Sequence, residues 1–358
     1  MTVSDPCVIP FHDAIAFSST LAQHGLPESF TFPFYYQPHP LTILAAQQLQ
    51  QELLEANPWQ HNFGLNSSND RGMVIGKMFG VLVVKDTQGQ LGFLAAFSGK
   101  LADQNILPPF VPPVFDMLTQ DSFFSLENKQ INQINQLLHQ HESAPLLASL
   151  SAQLTQQQQQ AERELEQQRN AIVEGRKQRK QQREQADNAL AQADINSDEH
   201  KTLSIELSRQ SVQQKHQLNT LKQQWQSQIM ATQTQLNELQ QQIKQLKRRR
   251  KQLSNSLQKK LFSQYQFLNT LGDARDLNDI FNDAPNHLPP AGAGECAAPK
   301  LLQYAFKKQL TPVAMAEFWW GASPKSEIKQ HKNFYPACHG KCRPILTHML
   351  AGMQVDAD

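Results

Sequence analysis

The chain has 358 residues, with 33 Lys and Arg against 32 Asp and Glu, and 39% of its residues are hydrophobic. That length holds two globular units, or one unit plus an extended arm. Balanced charge excludes a uniformly basic or acidic chain, but leaves room for local clusters that meet nucleic acid. The mean hydropathy of -0.53 is low because of a glutamine-rich middle segment; the flanks have ordinary core-forming composition.

Residues 1–127 read as a mixed α/β segment. Leu41–Glu55 has apolar residues at helical spacing, with Leu44, Leu49, Leu53 and Leu54 on or near one face. Pro40 and Pro58 punctuate its ends. Lys77–Ser98 holds two apolar runs around Asp86-Thr87-Gln88-Gly89, the signature of a β-hairpin in which Gly89 takes a positive φ. Both faces of these strands are apolar, so other elements are expected to cover both. Pro108–Leu118 (PPFVPPVFDML) reads as an extended connector.

Residues 128–269 read as a coiled-coil arm. The first half is sparse in apolar residues, and turn-favouring residues Ala193–Asp198 interrupt it. In the second half Ile229, Thr232, Leu236, Leu239, Ile243, Leu246, Arg250, Leu253 and Leu257 alternate by three and four, an a/d seam. Trp225 and Leu221 precede it at steps of four, a small stutter. Two helices joined by a polar turn predict an antiparallel hairpin, each arm of ~60 residues reaching ~90 Å. The alternative is a parallel dimer through one longer helix. Residues 270–358 read as a second globular segment packed against 1–127. It is expected to contain a loop at Leu288–Gly294, a short helix at Cys296–Lys307, a strand at Val313–Trp320 and a final helix at Ile345–Met353. The expected fold class is α+β with a long inserted antiparallel coiled-coil hairpin.

No stretch approaches the roughly 20 apolar residues of a membrane helix, so no membrane partner is expected. The N-terminal residues MTVSDPCVIPFHD lack a basic segment followed by an apolar run. A cytoplasmic protein is expected, with Cys7, Cys296, Cys338 and Cys342 reduced or bound to metal.

Cys338-His339-Gly340-Lys341-Cys342, with Cys296 upstream and His331 and His348 nearby, forms a candidate zinc site, because zinc takes four thiolate, imidazole or carboxylate ligands. A C-x3-C spacing is less specific than C-x2-C, and reduced, partly buried thiols are the plainer reading. A nucleobase-deaminase signature fits poorly. Tyr335-Pro336-Ala337-Cys338 begins like it, but the spacing to Cys342 differs, Glu295 precedes Cys296, and Glu317 is not next to a ligand in sequence.

The basic run Lys247, Arg248, Arg249, Arg250 and Lys251, followed by Lys259 and Lys260, is a candidate RNA-backbone contact. Arg176, Lys177, Arg179, Lys180 and Arg183 form a counterpart on the first arm. The competing reading is a solvated helix face paired with glutamates of the other arm. Phe32, Phe34, Tyr35, Tyr36, Phe318, Trp319, Trp320, Phe334 and Tyr335 can stack on bases, although core packing is their commoner use; Trp319 and Trp320 must point to opposite sides of a strand. Neither a G-x-x-x-x-G-K-[ST], a G-x-G-x-x-G nor a G-x-S-x-G motif occurs.

The blocks FTFPFYYQPHPL (30–41), GKMFGVLVVKDTQGQLGFLAAFSGKL (76–101), FVPPVFDML (110–118), AGAGECAAPKLLQYAF (291–306) and MAEFWWGASPKSEIKQHKNFYPACHGKCRPIL (315–346) resemble the long N-terminal region of bacterial RluA-type RNA pseudouridine synthases, in which a coiled coil also separates two globular blocks. The resemblance covers most of the chain outside the coiled coil. It implies an RNA- or ribosome-directed accessory region and ribosomal or transfer RNA as partner. It also implies a catalytic domain with an H-R-L-D segment, which this chain lacks; Arg275-Asp276-Leu277 has a different order. No catalytic residue is carried over, and the chain alone is expected to be inactive. The other expected partners are a separate catalytic domain and, through the coiled coil, a second copy. The alternative functions are a coiled-coil scaffold and a metal-binding protein.

Overall fold

The computed structural model describes residues 5–35, 37–55, 61–65, 73–119, 122–192, 195–284, 287–325 and 327–356. Tyr36, Pro58, Ala193 and Asp194, used in the sequence reading, lie outside them. In chain order the elements are α1 (Ala14–His24), α2 (Pro40–Glu55), β1 (Lys77–Lys85), β2 (Leu91–Phe97), α3 (Phe123–Ser143), α4 (Pro145–Ala191), α5 (Ser197–Gln264), β3 (Gln266–Leu268), β4 (Ala274–Asp276), α6 (Leu277–Asn282), α7 (Ala297–Lys307), β5 (Thr311–Trp320), β6 (Phe334–Tyr335) and α8 (Cys342–Met349). The chain is α+β with a long inserted helical hairpin. It divides into a globular unit, Met1–Asn128 with Ser254–Asp358, and a helical unit, Lys129–Leu253.

The globular unit is built on a four-stranded sheet of order β2-β1-β5-β6, antiparallel throughout. The β1–β2 turn is held by Asp86, whose carboxylate accepts the backbone N–H groups of Gln88 and Gln90 at 2.8 Å each, with Gly89 at φ +84°. Side chains alternate between the two sheet faces with period two. Phe79, Val81, Val83, Phe93, Ala95, Phe318 and Trp320 face α2, where Leu41, Ala45, Leu49 and Leu53 complete the layer. Leu82, Val84, Leu94, Ala96 and Met315 face the opposite layer, with Leu301 and Leu302 of α7, Ile345 and Leu346 of α8 and Ile280 of α6. Phe262, Tyr265 and Phe267 belong to this second core, so the end of α5 and β3 fold with the globular unit rather than with the arm. Trp319 and Trp320 occupy opposite sheet faces, as an extended backbone requires.

In the helical unit, α5 runs antiparallel to the first arm. His200 pairs with Asp187 (2.8 Å), Arg179 donates to Gln214 (2.9 Å), Trp225 donates to Glu164 (2.8 Å) and Lys247 pairs with Glu142 (2.6 Å). Partner numbers fall on one arm as they rise on the other, which only a hairpin within one chain gives. Thr232, Leu236 and Ile243 are buried along the seam, and Ile134 and Leu138 of α3 pack on Ile243.

Three expectations are corrected. The first arm is two helices rather than one: Pro145 stands at the start of α4 and Ala144 is extended (φ -63°, ψ 131°), because proline lacks an N–H and disfavours helix in the residue before it. Arg250, placed in the seam by spacing, is exposed; a guanidinium without a buried partner keeps its charge in water. The final helix starts at Cys342 and ends at Met349, earlier than Ile345–Met353. At the far turn, Asn196 accepts from the N–H groups of Asp198 and Glu199, and the Glu199 carboxylate accepts from Asn196 N–H (3.2 Å). This reciprocal cap starts α5 and explains the break there.

Candidate metal centre

Cys296, Cys338 and Cys342 come from two places far apart in sequence, and their Sγ atoms all lie within 4.8 Å of one another. Cys296 is the residue just before α7, with extended backbone (φ -73°, ψ 159°). Cys342 opens α8, and its N–H bonds the Cys338 carbonyl at 3.1 Å. Cys296 and Cys342 therefore stand at helix starts, and the backbone N–H groups of Lys341 and Cys342 favour thiolate at Cys338.

The sheet sets this convergence. Gly80 of β1 lies opposite Glu317 of β5, and α7 crosses directly over it. A Cβ on Gly80 would stand 3.0 Å from both Ala297 Cβ and Leu301 Cδ1. The absent side chain lets the start of α7, with Cys296, approach the sheet. The Gly80→Val variant is expected to lose about 1–3 kcal/mol of stability through overpacking and to hold metal more weakly, read by chemical denaturation and by metal content after dialysis. Lys300 secures the same turn. Its side chain is 2% exposed, and its ammonium donates to the carbonyls of Phe97 (3.3 Å) and Gly99 (3.2 Å) and sits 3.3 Å from the Glu295 carboxylate. Glu295 also accepts the Tyr265 hydroxyl. Burial pushes the Lys300 pKa down, and Glu295 opposes that.

The thiols share their protons. Cys338 is held well below the ordinary thiol range because Cys296 and Cys342 donate to it, while the same bonds push those two up. The Cys338 and Cys342 sulfurs are 3.5 Å apart. Tetrahedral zinc with Zn–S bonds of about 2.3 Å spaces its thiolates about 3.8 Å apart, so the cluster needs little adjustment to hold the ion. Among the described residues, neither a histidine nor a carboxylate joins the three sulfurs as a fourth ligand. His331 accepts the Gly321 N–H (3.0 Å) and lies against Trp320; His348 bonds the Phe267 carbonyl (2.9 Å). The expectation that either lies ready beside the cysteines is corrected: neither ring belongs to the group of ligand atoms lying within 4.8 Å of one another.

The cysteines open onto a cavity of about 420 Å³ whose walls include Glu317, Trp319, Lys329 and Lys341. Glu317 is buried, and its carboxylate accepts the Ala298 N–H at 3.2 Å. Burial pushes its pKa up to about 7, helped by the nearby Cys338 charge. A carboxyl that keeps its proton longer in the folded state makes the native protein bind more protons between about pH 4.5 and 7. Stability then falls as pH rises through that window. In chelator, Glu317→Gln is expected to match the wild type near pH 4.5 and to exceed it by about 2–3 kcal/mol at pH 8, measured by denaturant titration at both pH values. A larger cavity of about 570 Å³ lies beside α6, lined by Arg275, Asp283, Arg343 and His348 but by no thiol. It lacks the convergent ligands of the first. Asp276, next in sequence to Arg275, caps α6 by accepting Asp279 N–H (2.9 Å), a structural use.

The basic candidates separate into two groups. Lys247 is paired with Glu142, and Lys260 with Glu127 at 2.8 Å while lying over the Phe123 ring. Arg248, Arg249, Arg250, Lys251 and Lys259 are exposed and have no carboxylate within 4 Å among the described residues. On the first arm, Arg179 is buried against Gln214 rather than presented to solvent. Of the aromatics, Phe34, Phe318 and Trp320 are core, and Tyr35 is exposed. Sequence reasoning missed Glu317 as a neighbour of the thiols; the signal available was a lone acid inside an apolar strand. No family model matches the chain, and neither a curated protein nor a solved structure matches it. No helix among the described residues is long and apolar enough to cross a membrane.

Proposed function

We propose that the chain is an RNA-directed accessory region of an RluA-type pseudouridine synthase, and that its globular unit holds one zinc ion on Cys296, Cys338 and Cys342. The observation that supports the RNA reading is the run Arg248–Lys251: four consecutive exposed cations without a carboxylate within 4 Å among the described residues, next to Lys247, which has one. Unsatisfied guanidinium groups are suited to phosphate, which they bind bidentately. The zinc assignment rests on the three converging thiols and on softness: thiolates select zinc over magnesium or calcium. The test is binding of the full chain to ribosomal and transfer RNA across a salt series. Tight binding that falls steeply with salt supports the proposal; binding that ignores salt, or pseudouridine formation by this chain alone, overturns it.

A second reading, a protein-binding scaffold, has its own observation. Ile205 and Val212 on α5 are 56% and 68% exposed and lie along one shallow groove. Stoichiometric capture of a protein partner, unaffected by nuclease, would favour it.

A further inference from the structure

We propose that the cavity at the cysteines is a hydrolytic site for a nucleobase that carries an exocyclic amine, with Glu317 as the proton carrier and Trp319 as a wall for the base. The inference rests on the zinc reading above and extends it from a structural ion to a reactive one. Four observations support it. First, three thiolates leave one position of a tetrahedral ion open, and three protein ligands plus a water is the arrangement of catalytic rather than structural zinc. Second, all three cysteines line a cavity of about 420 Å³, large enough for a base. Third, Glu317 lines this cavity without belonging to the sulfur cluster. A three-cysteine zinc with a non-ligand glutamate is the apparatus that zinc deaminases use to add water to a base. Fourth, Trp319 lies two residues along β5 from Glu317 and so on the same sheet face, and Lys329 and Lys341 stand at the wall. An indole stacks on any base, and the Lys341 ammonium suits a phosphate, whereas Lys329 is already paired with Glu327 at 3.3 Å.

The glutamate arrives by a route that sequence spacing hides. In the usual signature it follows a ligand by two residues on one helix. Here residue 298 is alanine, and its N–H bonds the Glu317 carboxylate, which reaches the same place from the neighbouring strand.

The chemistry balances with water alone. Bound zinc lowers the pKa of the attacking water. Glu317 takes a proton from that water as its oxygen bonds to the ring carbon bearing the amine. Glu317 returns the proton to the adjacent ring nitrogen. A second proton then moves from the added hydroxyl to the amine, the C–N bond breaks, and ammonia leaves a carbonyl behind.

The test uses the full chain loaded with zinc in reductant. It is given single-stranded RNA containing cytidine or adenosine, and in parallel the free nucleosides, with ammonia release and the mass of the product base as readouts. Conversion of one base is expected, falling at least a thousandfold in Glu317→Gln while zinc stays at one per chain. A second measurement does not depend on turnover. RNA carrying 2-pyrimidinone or unsubstituted purine, which hydrate to mimic the adduct, should bind the wild type at least a hundredfold more tightly than it binds Glu317→Gln. Conversion of free nucleosides only keeps the site and assigns it a small-molecule substrate. Bound zinc with neither conversion nor preferential analogue binding overturns this inference and leaves the zinc centre standing. Absence of bound zinc overturns both.

Discussion

Cys296→Ser, Cys338→Ser and Cys342→Ser are each expected to lower zinc from one ion per chain to a small fraction after dialysis against a weak chelator. Each removes one of only three ligand sulfurs. Losing a direct ligand costs more than the roughly 10–100-fold in affinity that outer-shell partners carry. Stability follows by mass action. With free zinc about a thousandfold above its dissociation constant, the wild type gains about 4 kcal/mol that none of the variants shows. Metal analysis and melting curves with and without chelator read both effects. Cys7→Ser is the control, since Cys7 lies outside the cluster and its thiol donates to the Phe110 carbonyl. Equal loss of zinc from the Cys7 variant, or retention of zinc in all three others, would refute the assignment.

Replacing Arg248, Arg249 and Lys251 together by glutamine is expected to flatten the salt dependence of RNA binding. Each phosphate contact to a single strand contributes about 0.7 to the slope of log affinity against log salt. Three lost contacts lower the slope by about 2. Raising salt from about 50 to about 200 mM then costs the wild type about 20-fold more affinity than the variant. Helix content should be unchanged, because all three side chains are exposed on α5. Lys247→Gln is a comparison variant expected to have less effect, since its charge is already engaged with Glu142. Identical slopes for wild type and triple variant would remove the arm from RNA recognition.

The parts legible in the sequence were those governed by local rules. The three-and-four spacing from Ile229 marked the seam, and the Asn196 cap marked the far turn. Asp86 and Gly89 marked the hairpin turn, and apolar residues on both sides of β1 marked a covered sheet. Two helix boundaries slipped for reasons equally local: Pro145 divided the first arm, and Cys342 opened α8 earlier than its apolar spacing indicated. The grouping of Cys296 with Cys338 and Cys342 was visible as composition but not as geometry, since no spacing rule joins thiols across a strand. Glu317 was opaque for the same reason. Its role depends on lying opposite Gly80 in the register of β1 with β5, which is settled by pairing between strands distant in sequence. Arg250 shows the reverse failure, where a heptad position was right in phase and wrong in burial because charge outweighed periodicity.

The position of the hairpin also has a kinetic meaning. The sheet joins β1, from the first part of the chain, to β5, from the last, and an unstructured segment between them would make that pairing slow to find. Helices propagate far faster than distant strands meet. Once α5 has zipped against α3 and α4, Glu127 and Lys260, at the two ends of the insertion, are held within 2.8 Å. The long segment then counts as a short loop, whose closure entropy has already been met. By this argument the arm shortens the loop that pairing of β1 with β5 must close.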